Sequence, residues 1–226
     1  MDKLLTVVIP SYNVEKFLNQ TLDSFVCDEA VMKKFEVIVV DDGSKDNTAK
    51  IGKEYADKYP DTFRVISKEN GGHGSTINCG IRNAVGKYFK VVDGDDWVNT
   101  ADFVKLVEDL EKIESEYVFT NYNEYYDDVN RQKAVDFPQF KDGTEYDFAD
   151  VANKVYIPMH ALVIKTSVLK DNNIVIDEKC FYVDVEYVMF PVPFVNKVTF
   201  FDLHVYMYRL ALLSLIHISE PTRPIS

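Results

Sequence analysis

The sequence predicts a doubly wound α/β domain, and three observations carry that expectation. Short β-branched runs alternate with amphipathic segments through the first half of the chain. Polar loops fall repeatedly at the carboxyl ends of those runs, the edge where open α/β sheets bind ligands. No internal repeat or low-complexity linker divides the 226 residues, a length that buries one substantial core.

Thr6 to Ile9 is the first expected strand, closed by Pro10, which should end ladder pairing. Val14, Phe17, Leu18, Leu22, Phe25 and Val26 then recur at helical spacing with one apolar face. Phe35 to Val40 reads as the second strand, and Asp46 or Asn47 caps a helix running to about Tyr59. Arg64 to Ser67 is the third strand. A loop with three glycines, Asn70 to Ser75, feeds a helix from about Thr76 to Val85. Tyr88 to Val92 is the fourth strand, and Phe103, Leu106, Val107, Leu110 and Ile113 mark the next helix. The second half is less regular: strands at Tyr117 to Tyr122 and Ala161 to Ile164, a charged excursion from Asp127 to Asp142, and an aromatic strand or hairpin from Val198 to Tyr208.

A formal charge of -12, from 37 acidic and 25 basic residues, repels polyanions, so nucleic acid is not an expected partner. The first apolar run is too short for a signal h-region, and no later run reaches the length of a membrane span. Cys27, Cys79 and Cys180 form no CxxC pair, which fits a reduced, cytoplasmic protein. Leu213 to Arg223 reads like a translated sequencing adapter, so 211–226 is expected to be a non-native tail.

The chemistry concentrates where an apolar run stops at Asp93-Gly94-Asp95-Asp96. Such a cluster caps a helix or forms a solvated turn, or it holds a hard cation; oxygen ligands suit Mg²⁺ or Mn²⁺, ions that usually hold substrate phosphates. If the extended geometry continues, alternation puts Asp93 and Asp95 on one side. Asp41-Asp42-Gly43-Ser44 is a second acidic strand end, an ordinary βα turn when taken alone. Together the two imply several carboxylates converging on one crevice, which repel one another unless a cation or hydrogen-bond donors are bound.

Val8-Ile9-Pro10-Ser11-Tyr12-Asn13, Val39-Val40-Asp41-Asp42-Gly43-Ser44, Asn70-Gly71-Gly72 and Asp93-Gly94-Asp95-Asp96, in this order and spacing, resemble the family 2 glycosyltransferases of the GT-A fold. The resemblance covers roughly the first hundred residues. It implies a Rossmann-like three-layer αβα sandwich with a central, mostly parallel sheet and an irregular C-terminal half. One domain would span 1–210, with a nucleotide-sugar-binding half at 1–98 and an acceptor half at 99–210.

By the same resemblance Pro10, Ser11, Tyr12 and Asn13 line the nucleotide base and Asp42 bonds its ring. Asn70 and Gly71 belong to a loop, Asn70 to Gly74, that closes over the nucleotide. Asp93 and Asp95 form the DxD motif, Asp95 ligating Mg²⁺ or Mn²⁺ and Asp93 facing ribose or sugar. The family is usually inverting and takes its base from a Glu-Asp pair followed by an aromatic. Asp184 falls on the second acid of that pair in Tyr182 to Tyr187, Val183 replaces the first, and Glu186 stands as a rival. The implied activity is metal-dependent transfer from a nucleotide-sugar, a UDP-sugar by family habit, to a saccharide, lipid-linked or protein acceptor. It would serve cell-surface polysaccharide or glycoconjugate synthesis, in the cytoplasm or peripherally at the inner face of the membrane.

His73 and His160 are secondary candidates, and Trp97, Tyr122, Tyr125 and Tyr126 form either a sugar-stacking surface or core. A nucleotidyltransferase should carry a basic glycine-rich loop after the first strand, and a dehydrogenase a GxGxxG; neither is present. A non-catalytic or truncated nucleotide-sugar-binding protein is the rival from another class.

Overall fold

The computed structural model describes residues 3–210. The expected non-native tail, 211–226, lies outside the described residues. The first half runs β1 (Leu5–Ser11), α1 (Leu18–Asp23), α2 (Glu29–Met32), β2 (Phe35–Asp41), α3 (Thr48–Lys58), β3 (Phe63–Ser67), α4 (His73–Asn83), β4 (Tyr88–Val91), β5 (Trp97–Val98) and α5 (Thr100–Leu110). There follow β6 (Tyr117–Tyr126), β7 (Arg131–Val135), β8 (Thr144–Asp147), α6 (Phe148–Ala152), β9 (Leu162–Lys165), α7 (Thr166–Asp171), α8 (Val183–Met189) and β10 (Lys197–Leu210).

One sheet takes the order β3-β2-β1-β4-β9-β6-β10-β5, with β7 on β6 and β8 on β10. Strands β3, β2, β1 and β4 are parallel, as is the long β6–β10 ladder. β9 runs antiparallel between β4 and β6. Alternation divides the interior into two layers. Leu5, Val7 and Ile9 of β1 pack with α1 and α5 through Leu18, Leu22 and Phe103, whereas Val8 packs with α4 through Ile77. The sheet therefore carries helices on both faces.

Several expectations need adjustment. Pro10 does not end the ladder: pairing with β2 continues to Ser11 opposite Asp41, where Asp42 N donates to Ser11 O at 2.9 Å, and on the β4 side the proline carbonyl still accepts Gly94 N at 3.1 Å. The first helix is confined to Leu18–Asp23, since Val14 to Phe17 form turns that tie to the β2 exit through Val14 N donating to Thr48 Oγ1. Helix α4 begins three residues early, at His73, with Gly72 as its cap in a left-handed conformation (φ 85°). The charged excursion contains β7, an exposed strand paired to the far half of β6. Among the described residues no helix is long and apolar enough to cross a membrane.

At the amino end of the sheet Glu36 lies buried in β2 at 6 % exposure. Its carboxylate accepts Thr6 Oγ1 at 2.6 Å, Val85 N at 2.9 Å and Arg64 Nε at 3.0 Å, while Thr6 Oγ1 accepts Gly86 N. This knot clamps the α4–β4 connection that leads into the Asp93 loop. Glu36→Ala is expected to lower stability by about 3 kcal/mol, because it removes the one acceptor shared by Thr6, Arg64 and the Val85 amide and leaves a cavity in β2. The check is urea unfolding, with the midpoint falling and the slope unchanged.

Candidate active site

Four strand ends build the crevice. From β1, the Pro10 and Ser11 backbone and the half-exposed Tyr12 face outward. From β2, Asp42 is 2 % exposed, and its carboxylate accepts Lys68 Nζ at 2.6 Å, Gly71 N at 2.9 Å and Gly72 N at 2.8 Å. Asn70 Nδ2 donates to the Asp42 carbonyl at 3.0 Å. Asp42 thus folds the glycine loop onto the β2 exit and keeps a lone pair beyond the three donors. These residues enclose a hollow of about 570 Å³ lined by Pro10, Ser11, Tyr12, Asp42, Asn70, Gly72, His73, Thr76 and Phe181. Asn13 stands apart from that lining: its side chain accepts Lys45 N at 2.8 Å and its amide donates to Ser44 Oγ at 3.0 Å, joining the β1 and β2 loops.

Beyond β4 the chain does not stay extended. Asp96 N donates to Asp93 O at 3.0 Å, closing a turn in place of the expected alternation. Gly94 is required there, because a Cβ would come within 2.9 Å of Pro10 O and 3.0 Å of Ser11 Oγ. Thr21 Oγ1 fixes the turn by donating toward the carbonyls of Gly94 and Asp96.

The three carboxylates have separate surroundings. Asp96, 2 % exposed, accepts Tyr206 Oη at 2.6 Å and Arg209 N at 2.7 Å; burial, Asp93 and Asp95 push its carboxyl well above the usual range. Asp93 receives His73 Nε2 at 2.9 Å. Burial opposes its ionisation, but the charge and hydrogen bond of His73 hold it below the usual range. Burial likewise opposes His73 protonation, and the charge and hydrogen bond of Asp93, with Asp184 and Asp95, raise the imidazole. The Asp95 side chain is exposed and accepts no hydrogen bond from another described residue. Desolvation by the crevice wall and the Asp93 charge push it up. An acid destabilised by a like charge, with its lone pairs open, fits a divalent cation.

Asp184, in the first turn of α8, reaches this crevice: its charge acts on His73, His160, Tyr156 and Tyr208. Glu186 is committed elsewhere, its carboxylate accepting Asp177 N at 2.8 Å on the surface. His160 stacks on Tyr208 at 4.0 Å and meets Tyr206 edge-on at 4.9 Å and Tyr122 at 5.6 Å. Its backbone carbonyl and that of Leu162 accept the fully buried Lys90 Nζ, whose ammonium burial pulls down to about 7. Trp97 packs edge-on against Tyr125 and carries the Arg209 guanidinium on its face. A separate hollow of about 540 Å³, lined by Tyr117, Phe148, Tyr156, Val188 and Met189 among others, contains no carboxylate.

Residues 6–172 match the family described as Glycosyl transferase family 2. The chain belongs to that family. It is 39% identical over 112 residues to the uncharacterized glycosyltransferase EpsJ of Bacillus subtilis (strain 168), covering 50% of this chain and 32% of EpsJ. It is 35% identical over 102 residues to the minor teichoic acid biosynthesis protein GgaB of the same organism, covering 45% of this chain and 11% of GgaB. The chain therefore spans about a third or less of these two relatives. Among solved structures, S. aureus TarS 1–349 in complex with UDP-GlcNAc superposes with a TM-score of 0.76 at 24% identity, over 92% of this chain and 58% of TarS. The mannosyltransferase PcManGT from Pyrobaculum calidifontis, in complex with GDP-Man and Mn²⁺, gives 0.66 at 18% identity, over 99% of this chain and 59% of PcManGT. The fold of the chain is GT-A.

Sequence reasoning missed several residues that build the crevice. Arg209 donates to Asp95 O at 2.7 Å, to both Asp127 oxygens at 2.6 Å and to Gln20 Oε1 at 2.6 Å, and lies between the Phe17 and Trp97 rings. Lys68 and Tyr206 were also unmarked. Lys68 follows a strand end as Asp42 does, a positional signal; Tyr206 and Arg209 lie 110 and 114 residues from Asp96 and Asp95 and leave no local one.

Arg209→Lys keeps a charge but loses the fork and the planar stacking. Its urea midpoint is expected to correspond to a loss of about 2 kcal/mol. His160 tests burial separately. Desolvation lowers its pKa from 6.5 to about 4, so the unfolded chain takes up the proton first as pH falls. The stability it contributes is present above about pH 6.5 and is lost as pH drops toward about 4. Between pH 7 and 4.5 the wild type should lose about 2 kcal/mol more than His160→Phe, read from paired denaturant titrations.

Proposed function

We propose that this glycosyltransferase moves a sugar from a nucleotide-sugar, a UDP-sugar, to an acceptor hydroxyl with inversion, in the synthesis of a cell-surface polysaccharide or glycoconjugate. The observation that carries the reading is the division among carboxylates: Asp96 is saturated and Asp93 is paired, while Asp95 and Asp184 stay open toward one crevice. Structures of TarS with UDP-GlcNAc and of PcManGT with GDP-Man and Mn²⁺ support a nucleotide-sugar donor, and the name of GgaB supports a surface polymer as product. The span 1–98 supplies the donor half and 99–210 the acceptor half of one domain.

In this reading Pro10, Ser11, Tyr12 and Asp42 receive the base, Asn13 ties together the two loops that carry them, Asn70 and Gly71 shape the loop over the nucleotide, and Asp93 orients ribose or sugar. Asp95 would hold Mg²⁺ or Mn²⁺, which supplies charge neutralisation to the departing diphosphate. Asp184 accepts the proton of the attacking hydroxyl, and its lack of a competing donor leaves its lone pairs available. Glu186, tied to Asp177 N, positions the segment ahead of α8. The acceptor is a saccharide, a lipid-linked glycan or a protein. Free thiols at Cys27, Cys79 and Cys180 support a cytoplasmic setting, with peripheral contact at the inner face of a membrane part of the same proposal.

Calorimetric titration of UDP in Mn²⁺ or EDTA tests the donor site: binding should require the metal and vanish in Asp95→Ala. Loss of metal dependence without loss of binding would overturn the Asp95 assignment. Asp184→Asn should retain UDP affinity and slow transfer by about 10²- to 10⁴-fold, measured as UDP release with acceptor present. Wild-type binding with no transfer to any acceptor would favour a nucleotide-sugar-binding protein.

A further inference from the structure

Phe181 is 91 % exposed, more than any other large apolar side chain among the described residues, yet it borders the hollow formed by Pro10, Ser11, Tyr12, Asp42 and Gly72. Solvent exposure of a whole phenyl ring is unfavourable unless something covers it. The backbone ahead of it is firmly placed. Asn78 of α4 exchanges two hydrogen bonds with Ile176, at 2.8 and 2.9 Å, and Lys179 N donates to Gly71 O at 3.1 Å. A Cβ on Gly74 would lie 2.0 Å from Asp177 O, so this segment rests against the glycine loop at a distance only glycine permits. Glu186 receives Asp177 N from the other side.

The ring is thus delivered to the nucleotide hollow by the acceptor half of the chain. Tyr12, 49 % exposed, lines the same hollow from the β1 exit. The wall of this hollow is mostly apolar, and Ser11, Asn70 and Asp42 add a few polar groups to it. Flat apolar faces with a hydrogen-bonding edge match a planar heterocycle better than an aliphatic chain, because stacking uses the faces and the edge keeps its polar partners.

We propose that Phe181 is a nucleobase-binding residue that forms, with Tyr12, an aromatic slot for the heterocycle of a nucleoside diphosphate. This rests on the donor-site reading above. Phe181 lies three residues before Asp184, so occupancy of the slot also holds the start of α8, and the donor helps to station the base that deprotonates the acceptor.

The experiment compares UDP, GDP and inorganic pyrophosphate by calorimetry with Mn²⁺, on wild type, Phe181→Ala and Phe181→Tyr. Loss of the ring should weaken the nucleotide the wild type binds by about 5- to 150-fold. Pyrophosphate, which has no base, should bind all three proteins equally, and Phe181→Tyr should restore the nucleotide affinity. Unchanged nucleotide binding in Phe181→Ala overturns the proposal, as does an equal loss for pyrophosphate, which would assign the effect to the loop. If the wild type binds neither nucleotide nor pyrophosphate, the donor-site reading fails and the slot with it. Thermal unfolding of each variant confirms an intact fold.

Discussion

The constraint on which the crevice depends is electrostatic: Asp93, Asp95 and Asp96 occupy four residues at the end of one strand. Like charges so placed favour opening of the turn unless donors or a cation offset them. The chain meets this from its far end. Tyr206 and Arg209 of β10 satisfy Asp96, and Arg209 also bonds the Asp95 carbonyl while stacking on Trp97 and Phe17. β10 reaches that position through its parallel pairing with β6 and its short antiparallel pairing with β5. An acidic loop legible in the first hundred residues therefore needs the last strand to exist in this form.

A second consequence arises where the sheet changes direction. β4 pairs with β9 over Tyr88 and Phe89 only, and the two strands then part. Lys90 fills the gap, donating to the His160 and Leu162 carbonyls in place of ladder amides, with the Tyr206 ring beside its ammonium. A buried lysine is costly unless hydrogen-bonded, and here its donors meet two acceptors and a π face. The same contact fixes the backbone of His160, whose ring lies among Tyr122, Tyr206 and Tyr208 at the floor of the crevice. Tyr122, Tyr206 and Tyr208 thus form a layer around that imidazole, while Phe119, Phe137, Phe140 and Phe200 pack together elsewhere.

Much of the first half was legible because buried parallel strands read as continuous apolar runs and their polar exits follow at once. β1 to β4 came from that signal, and the roles expected of the motifs after them came from the family resemblance. The irregular half was harder for a physical reason: β7 and β8 are exposed strands whose existence depends on pairing with β6 and β10, and β5 has two residues. Helix α4 was placed late because its glycines read as a loop, whereas Gly74 is a packing glycine against Asp177. Pro10 misled in the opposite sense, since a parallel strand uses its carbonyl where its amide is missing. Val183, standing where the family resemblance has an acid, left Asp184 and Glu186 undivided in the sequence. The commitment of Glu186 to Asp177 is visible only in three dimensions.

The separation of structural from chemical carboxylates follows one rule in this molecule. Glu36 and Asp96 are buried and accept donors on both oxygens, and each clamps backbone. Asp95 and Asp184 are open, and an open acid beside other acids is tolerable only if its surplus charge serves a cation or a proton. Asp42 falls between these groups. Three donors leave part of its acceptor capacity, so it can organise the glycine loop and still bond a ring N–H at the mouth of the hollow. Lys68 matters for that double use. Its ammonium meets the carboxylate at 2.6 Å where Asp42 is only 2 % exposed, and a charged donor makes the stronger hydrogen bond, so the anchor of the loop is held from below while the upper edge of the carboxylate stays toward the hollow.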